Sequence, residues 1–376
     1  MFVQRNKVLA VGIFGIVLII VGLIWYILPY QLPELTDKEN VVIETLFEKT
    51  KPQCIGRYVI DVPESFNNQL NDEIYIDDFK IESKFIYPPA FKQRIQLREE
   101  ELREAINRPE NEMKNAPFLK EVIQLPDGRG VIFDRNKPAS DDAYRVLEAH
   151  VYVNHIAFII TTEILDLSAD KYVKEKKSYI DISGFSEFET NTKYSQLAAM
   201  QALISRLSGR LDHEIPTDKG ICIPNGFILD DKDKHQQRVT MLYENADLFL
   251  SLEFDNSYLG SNDTLLNREK EINEVIHLQG YKTIKKGNLS PNKIPSQEWL
   301  VKKNQEVYSK VENKKLPDLP YYDFQFFANE ATATNIIPKL DIGIHNQNKF
   351  TSYSDAQMVE IWDRIVGSLR YKPNAF

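Results

Sequence analysis

A chain of 376 residues is long for one domain and comfortable for two. With 43% apolar and 27% charged residues it has the balance of an ordinary globular protein, which excludes a mainly disordered chain. The formal net charge of -9 argues against a nucleic-acid partner, which would favour a basic face, and suits a basic protein partner better.

The first element is a predicted membrane helix. From Val8 to Leu28 the sequence "VLAVGIFGIVLIIVGLIWYIL" carries no charge, and at about 1.5 Å per residue it spans the roughly 30 Å of a bilayer core. Arg5 and Lys7 precede it, whereas Glu34, Asp37 and Glu39 follow with Lys38 as the one nearby cation. The positive-inside rule then places residues 1–7 in the cytoplasm and the bulk of the chain outside it, in the periplasm of a bacterium, on a single-pass inner-membrane anchor. Trp25, Tyr26 and Tyr30 supply interfacial aromatics. A cleavable signal peptide fits less well, because the run ends in "WYILPYQLPEL" with no small-residue cleavage site. Residues 29–50, with two prolines, several charges and no strong period, read as a stalk.

Beyond the stalk the sequence echoes itself. "CIGRYVIDVP" from Cys54 is answered by "CIPNGFILDD" from Cys222, aligned with one inserted residue so that Tyr58 lies over Phe227. "REEELREAI" (98–106) aligns without gaps with "REKEINEVI" (268–276), both amphipathic helices. "MQALISRLSGRL" (200–211) lies over "MVEIWDRIVGSL" (358–369), pairing Met200 with Met358 and Gly209 with Gly367, and Ser354 with Gln357 forms a capping box before the second. The offsets predict two homologous domains, residues 51–211 and 217–376, with extra residues in the polar stretch 166–189 of the first.

Between the helices the alternation is that of strands: "GRGVIFDRN" (128–136), "AYRVLEAHVYV" (143–153) and "HIAFIITTEI" (155–164), the last two joined by a hairpin at Asn154, then "RVTMLYE", "DLFLSLEFD", "EWLVKK" and "YDFQFFANE". The fold class is α+β: each domain an antiparallel sheet with two main helices on one face.

No nucleophile elbow, P-loop, dinucleotide fingerprint or H-E-x-x-H is present, so no catalytic, cofactor or metal residues are expected and the chain reads as a non-enzyme. His150 and His155, five apart on a continuous strand, would face opposite ways. "DDKDKH" (230–235) lacks the glycine and alternating oxygen ligands of a calcium loop and reads as a solvated turn. The repeated carboxylates of 98–106 read as a solvated helix face. Cys54 and Cys222 hold equivalent places, and two cysteines in an oxidising compartment suggest a disulfide, with two separate buried thiols as the alternative.

The strand "CIGRYVIDVPES", the segment "PKLDIGIHNQN" (338–348) and the closing "SYSDAQMVEIWDRIVGSLRYKP" (352–373) together resemble the two-domain immunity proteins that protect bacteria from lipase and phospholipase toxins delivered by type VI secretion. The resemblance implies inhibition without catalysis: two domains clamp the effector and keep substrate from its active site, with no cofactor and no small-molecule substrate. It names no contact residues; loops such as 166–189 and 230–235 are where binding is expected. The alternative is a membrane-anchored envelope protein that senses or holds a ligand between two lobes.

Overall fold

The computed structural model describes residues 30–68, 72–306, 308–309, 314–315 and 318–376. The expected cytoplasmic tail and membrane helix lie outside the described residues, among which no helix is long and apolar enough to cross a membrane.

Period-two alternation builds the sheet. In "FLSLEFD", Leu250, Leu252 and Phe254 are buried while Phe249, Ser251, Glu253 and Asp255 are half-buried, as one packed face requires. The strands of the first half are β1 (Thr50–Ile55), β2 (Tyr58–Pro63), β3 (Asn67–Asn68), β4 (Glu73–Ile76), β5 (Phe79–Phe85), β6 (Leu119–Gln124), β7 (Gly130–Asn136), β8 (Tyr144–Val153), β9 (Ile156–Leu165) and β10 (Leu207–Gly209). Those of the second are β11 (Gly220–Ile223), β12 (Gly226–Leu229), β13 (Gln237–Glu244), β14 (Phe249–Asp255), β15 (Lys282–Leu289), β16 (Ser296–Gln305), β17 (Tyr308–Ser309), β18 (Lys314–Lys315), β19 (Leu319–Ala328), β20 (Lys339–His345) and β21 (Arg370–Tyr371). Six helices accompany them among the described residues: α1 (Asp37–Phe47), α2 (Pro88–Arg103), α3 (Val173–Ser183), α4 (Lys193–Arg206), α5 (Glu269–Leu278) and α6 (Asp355–Gly367).

One antiparallel sheet runs through both halves in the order β15-β16-β19-β20-β14-β13-β4-β5-β9-β8-β7-β6, with β3 beside β13. The halves join edge to edge where β13 pairs with β4, from Gln237 opposite Ile76 to Thr240 opposite Glu73. Each half contributes six strands in corresponding order, β4 and β5 answering β13 and β14, and β6 to β9 answering β15, β16, β19 and β20. A shared core fills the inner face, taking Ile74, Phe158 and Ile160 from one half and Val239, Phe254 and Phe324 from the other.

The helices do not share one face. Met200, Leu203 and Ile204 of α4 and Met358, Ile361 and Trp362 of α6 belong to that inner core, whereas Leu102 of α2 packs on Val131 and Phe133, which point away from it. In α6 the Trp362 indole donates to the buried Glu298 at 2.8 Å and meets Phe324 edge-on at 5.7 Å. Between β9 and α4, α3 occupies the expected extra stretch.

Three local expectations change. The stretch read as a stalk contains α1, started by a Thr36–Glu39 capping box and docked through the buried Ile43 and a Glu44–Arg364 ion pair of 2.6 Å. The helix expected across 200–211 stops at Arg206, and Leu207–Gly209 continues as strand β10, so Gly209 is no counterpart of the helical Gly367. The β8–β9 turn holds two residues, Asn154 and His155, both at positive φ. His155 is therefore in the turn and not on a strand.

The cysteine strands meet above the seam. Cys54 pairs with Val59 across β1–β2 and Cys222 with Phe227 across β11–β12, so the two hairpins align with no inserted residue, and Arg57 corresponds to Asn225. Gly56 opens the first hairpin turn at φ +53, and a Cβ there would fall 2.0 Å from the Phe254 ring. The closing strands are exchanged: β10 of the first half pairs with β12 of the second, and β21 of the second pairs with β2 of the first. The backbone N–H of Arg210 donates to Asn225 O at 3.1 Å, and that of Lys372 donates to Arg57 O at 2.9 Å, the same bond in each half. Cys54 and Cys222, fully buried beside Val59 and Phe227, are joined as a disulfide, and the backbones of Gly56 and Cys222 exchange two hydrogen bonds of 2.8 Å.

With its ends 168 positions apart in the sequence, the bridge restricts a large unfolded loop, worth about 5 kcal/mol in the chain-entropy treatment. Guanidinium unfolding with and without reductant should therefore show a loss of several kcal/mol on reduction, and superimposable curves would contradict this account of the seam.

Candidate binding face

The outer face of the sheet is covered only at its ends among the described residues. Over β6 to β8, α2 is fixed by three contacts: Leu102 against Leu119 and Phe133, Phe91 stacked on Tyr152 at 5.0 Å, and Arg98 forked onto Glu148 at 2.7 and 2.8 Å. Over β15, Glu269 of α5 pairs with Lys286 at 2.6 Å, while Arg268, just before the helix, reaches the buried Glu330 at 2.7 Å. Arg98 and Arg268 are identical residues of the repeated helix motif. Both turn to a buried glutamate, so that motif is more than a solvated face; Glu99–Arg103 and Glu101–Arg108 are its solvent-side pairs. Glu148 is costly to bury as an anion, yet its bonds with His150 and Arg98 and the charge of Arg135 hold it well below the usual carboxylate range.

Of the eight strands between these helices, six, β9, β5, β4, β13, β14 and β20, present an uncovered surface, with β16 and β19 beyond them towards α5. Its first-half part carries Lys80, Glu82 and Lys84 from β5 and Ala157, Ile159 and Thr161 from β9. Two contiguous recesses of about 540 and 450 Å³ run along it beneath α2, sharing Glu82, Arg94 and Ile159 in their linings, and the exposed Leu97 overhangs the second. The second-half part carries Arg238 and Leu242 from β13, Phe249, Ser251 and Glu253 from β14, and Asp341 and His345 from β20. It is the more acidic. Asp341 is pushed up to about 6: burial is the main cause, Lys339 opposes it at 2.8 Å, and Glu253 and Glu330 add to it.

The residues singled out from the sequence lie elsewhere. Cys54 and Cys222 are on the inner side of the sheet, at the seam. The 166–189 segment packs Tyr172 against Ala143 and Leu167 and lines neither recess, although Ile182 and Phe188 are more than four-fifths exposed. The 230–235 turn is anchored at one end of the seam: Asp230 accepts Nη1 and Nη2 of the buried Arg57 at 2.9 and 3.0 Å, and His235 bonds Asp77 at 2.6 Å. His150 is buried against Glu148 at 2.9 Å. Among the described residues no cluster of His, Cys, Asp and Glu is arranged to hold a metal ion. Sequence reading had passed over the uncovered face; its one signal was the aliphatic and aromatic residues, Ile159, Leu242 and Phe249, at the outward positions of otherwise polar alternations.

Residues 51–210 match the N-terminal domain, and residues 214–374 the C-terminal domain, of Tle cognate immunity protein 4. The chain belongs to this immunity protein family. Its members are non-enzymatic inhibitors, and α1 lies before the matched region. The fold is shared with the apo immunity protein TplEi of the type VI secretion system of Pseudomonas aeruginosa, at TM-score 0.63 and 18% identity over 87% of this chain and 98% of that one. It is shared likewise with a chain of the Tle4–Tli4 complex, at TM-score 0.62 and 18% identity over 87% and 98%. A third structure, TplEi with a bound "L" peptide, gives TM-score 0.57 at 18% identity over 86% and 98%. Among curated proteins none matches.

Because Asp341 holds its proton more tightly folded than unfolded, its contribution to stability is complete below about pH 4 and is lost as pH rises through about 6. Asp341→Asn should therefore raise stability at pH 7 by on the order of 1 kcal/mol and flatten the pH dependence between about 4 and 6. Thermal unfolding across that range checks it; an unchanged profile in the variant would refute the assignment.

Proposed function

We propose that this chain is a periplasmic immunity protein, tethered to the inner membrane by residues 8–28, that binds a type VI-secreted lipase or phospholipase effector of the Tle4 class across its uncovered sheet face and blocks the active site. The observation that carries the reading is the six-strand surface walled by α2 on one side and reaching towards α5, past β19 and β16, on the other. A partner seated there meets a floor that is already rigid, because every strand beneath it is hydrogen-bonded on both edges. Binding then costs little backbone ordering, which favours tight association. The two halves act as the arms of the clamp, the acidic second-half floor accepting basic residues and the trough beneath Leu97 accepting an apolar side chain.

Inhibition needs no chemistry: occupation alone excludes substrate. The membrane tether concentrates the inhibitor where a lipase works, and a buried disulfide suits the periplasm. The correspondence of strand order, exchanged ends and repeated motifs supports an origin of the halves, about 51–211 and 217–376, by duplication. The ligand-sensor alternative is less well supported, because the recesses are shallow, open and polar-rimmed where a small-molecule site would be enclosed and largely apolar.

Leu97→Asp places a charge on the exposed wall without touching the core. Affinity for the cognate lipase should fall by at least about tenfold, with the melting temperature unchanged, and cells should lose protection from a periplasmically targeted lipase. Phe188→Ser should leave both intact. If Phe188→Ser abolished protection while Leu97→Asp did not, the binding face would have been placed wrongly.

A further inference from the structure

We propose that a tyrosine–lysine patch at the end of β16 rests on the headgroups of an anionic bilayer, holding the body in one attitude on the membrane. The proposal rests on residues 8–28 acting as the membrane anchor.

The chain is pinned from its first described residue. The Tyr30 hydroxyl donates to Asp355 at the start of α6; Lys302 also donates to Asp355, bonds the Tyr30 hydroxyl at 3.3 Å and lies 4.7 Å from its ring centre. Tyr322 donates to the same carboxylate at 2.8 Å. A few residues on, α1 is fixed to α6 by the buried Ile43, by Gln357 donating to Glu39 O at 3.3 Å and by the Glu44–Arg364 pair. Leu28, the last residue of the uncharged stretch, is two positions from Tyr30. At no more than about 3.6 Å per residue, two residues of chain reach about 7 Å at most, so an anchor ending at Leu28 would be held close to the pinned tyrosine. A tether this short has no room to swing.

What surrounds that point suits a lipid surface. Lys303, the next residue of β16 and so on the opposite face of the sheet from Lys302, lies 4.1 Å from the ring centre of Tyr281 and 5.7 Å from that of Tyr321, while the exposed Lys282 pairs across the strands with Lys302 on the Tyr30 side, so the patch spans both faces at this end of the sheet. Tyrosine and lysine are the side chains that combine an apolar body with a polar tip, and they collect at membrane interfaces. Each lysine near an anionic surface contributes about 1 kcal/mol. Of the neighbouring carboxylates among the described residues, Asp355 is taken up by Lys302 and two tyrosines, Glu306 by Lys315 and Asp323 by Gln325; Asp318 stays exposed. The chain as a whole carries a net charge of -9, which such a surface repels on average, so a lysine-bearing end sets the attitude.

The test uses the full chain reconstituted in vesicles of phosphatidylethanolamine and phosphatidylglycerol, with a photoreactive benzoylphenylalanine at position 281, 282 or 188. Positions 281 and 282 should give at least about fivefold more lipid adduct than position 188, and the double variant Lys282→Glu, Lys303→Glu should bring position 281 down towards the level of 188. Equal yields at all three positions, with the chain retained in the membrane after an alkaline carbonate wash, would overturn the patch while leaving the anchor. Release of the chain by that wash would overturn the anchor reading, and the patch with it.

Discussion

The exchange of closing strands at the seam is the constraint on which the rest of the structure depends. Each half builds six sheet strands, but neither completes its own hairpin layer: β10 closes on β12 and β21 on β2. The buried Arg210 donates to the carbonyls of Gly226, Cys54 and Ile223, so one guanidinium satisfies acceptors from both hairpins. Arg57 does the reciprocal work, reaching Asp230 and the Ala375 carbonyl. The disulfide adds a covalent link at the same point. Pulling the halves apart would expose apolar surface from both and leave buried carbonyls without donors, a cost far beyond the β4–β13 pairing alone.

A sheet held this firmly can leave one face bare. The inner face is filled by α1, α4, α6 and the hairpins, and the outer face carries helices only at its two ends among the described residues. Polar groups there are kept at some cost. Glu148 remains ionised in a buried position because two arginines and a histidine surround it, whereas Asp341 has one lysine and two competing carboxylates and resists ionisation. At neutral pH the ionised Asp341 therefore weakens the folded protein, whereas the ionised Glu148 strengthens it.

Much of this was legible in the sequence because it is local. Alternation marked the strands from 128 to 330, the Ser354–Gln357 box marked the start of α6, and the Cys54 and Cys222 hairpins were recognisable as equivalents. What was hidden is non-local or locally ambiguous. Nothing in "NDEIYID" announces that β4 will pair with a strand more than 160 residues away. Leu207 and Leu211 continue the helical period of α4, and only the pull of β12 ends that helix at Arg206. The stalk looked aperiodic because α1 offers one fully buried side chain, Ile43, and owes its place to α6. The open face was hidden because its recesses lie on strands, whereas binding was expected on the loops 166–189 and 230–235.

Hydroxyl-radical footprinting of the chain alone and in the presence of a Tle4-class lipase, the partner proposed for it, reads side-chain protection residue by residue. Binding should protect Leu97, Leu242 and Phe249 on the open face and leave Ile182 and Phe188 as reactive as before. Protection of Ile182 and Phe188 with an unchanged open face would contradict this placement.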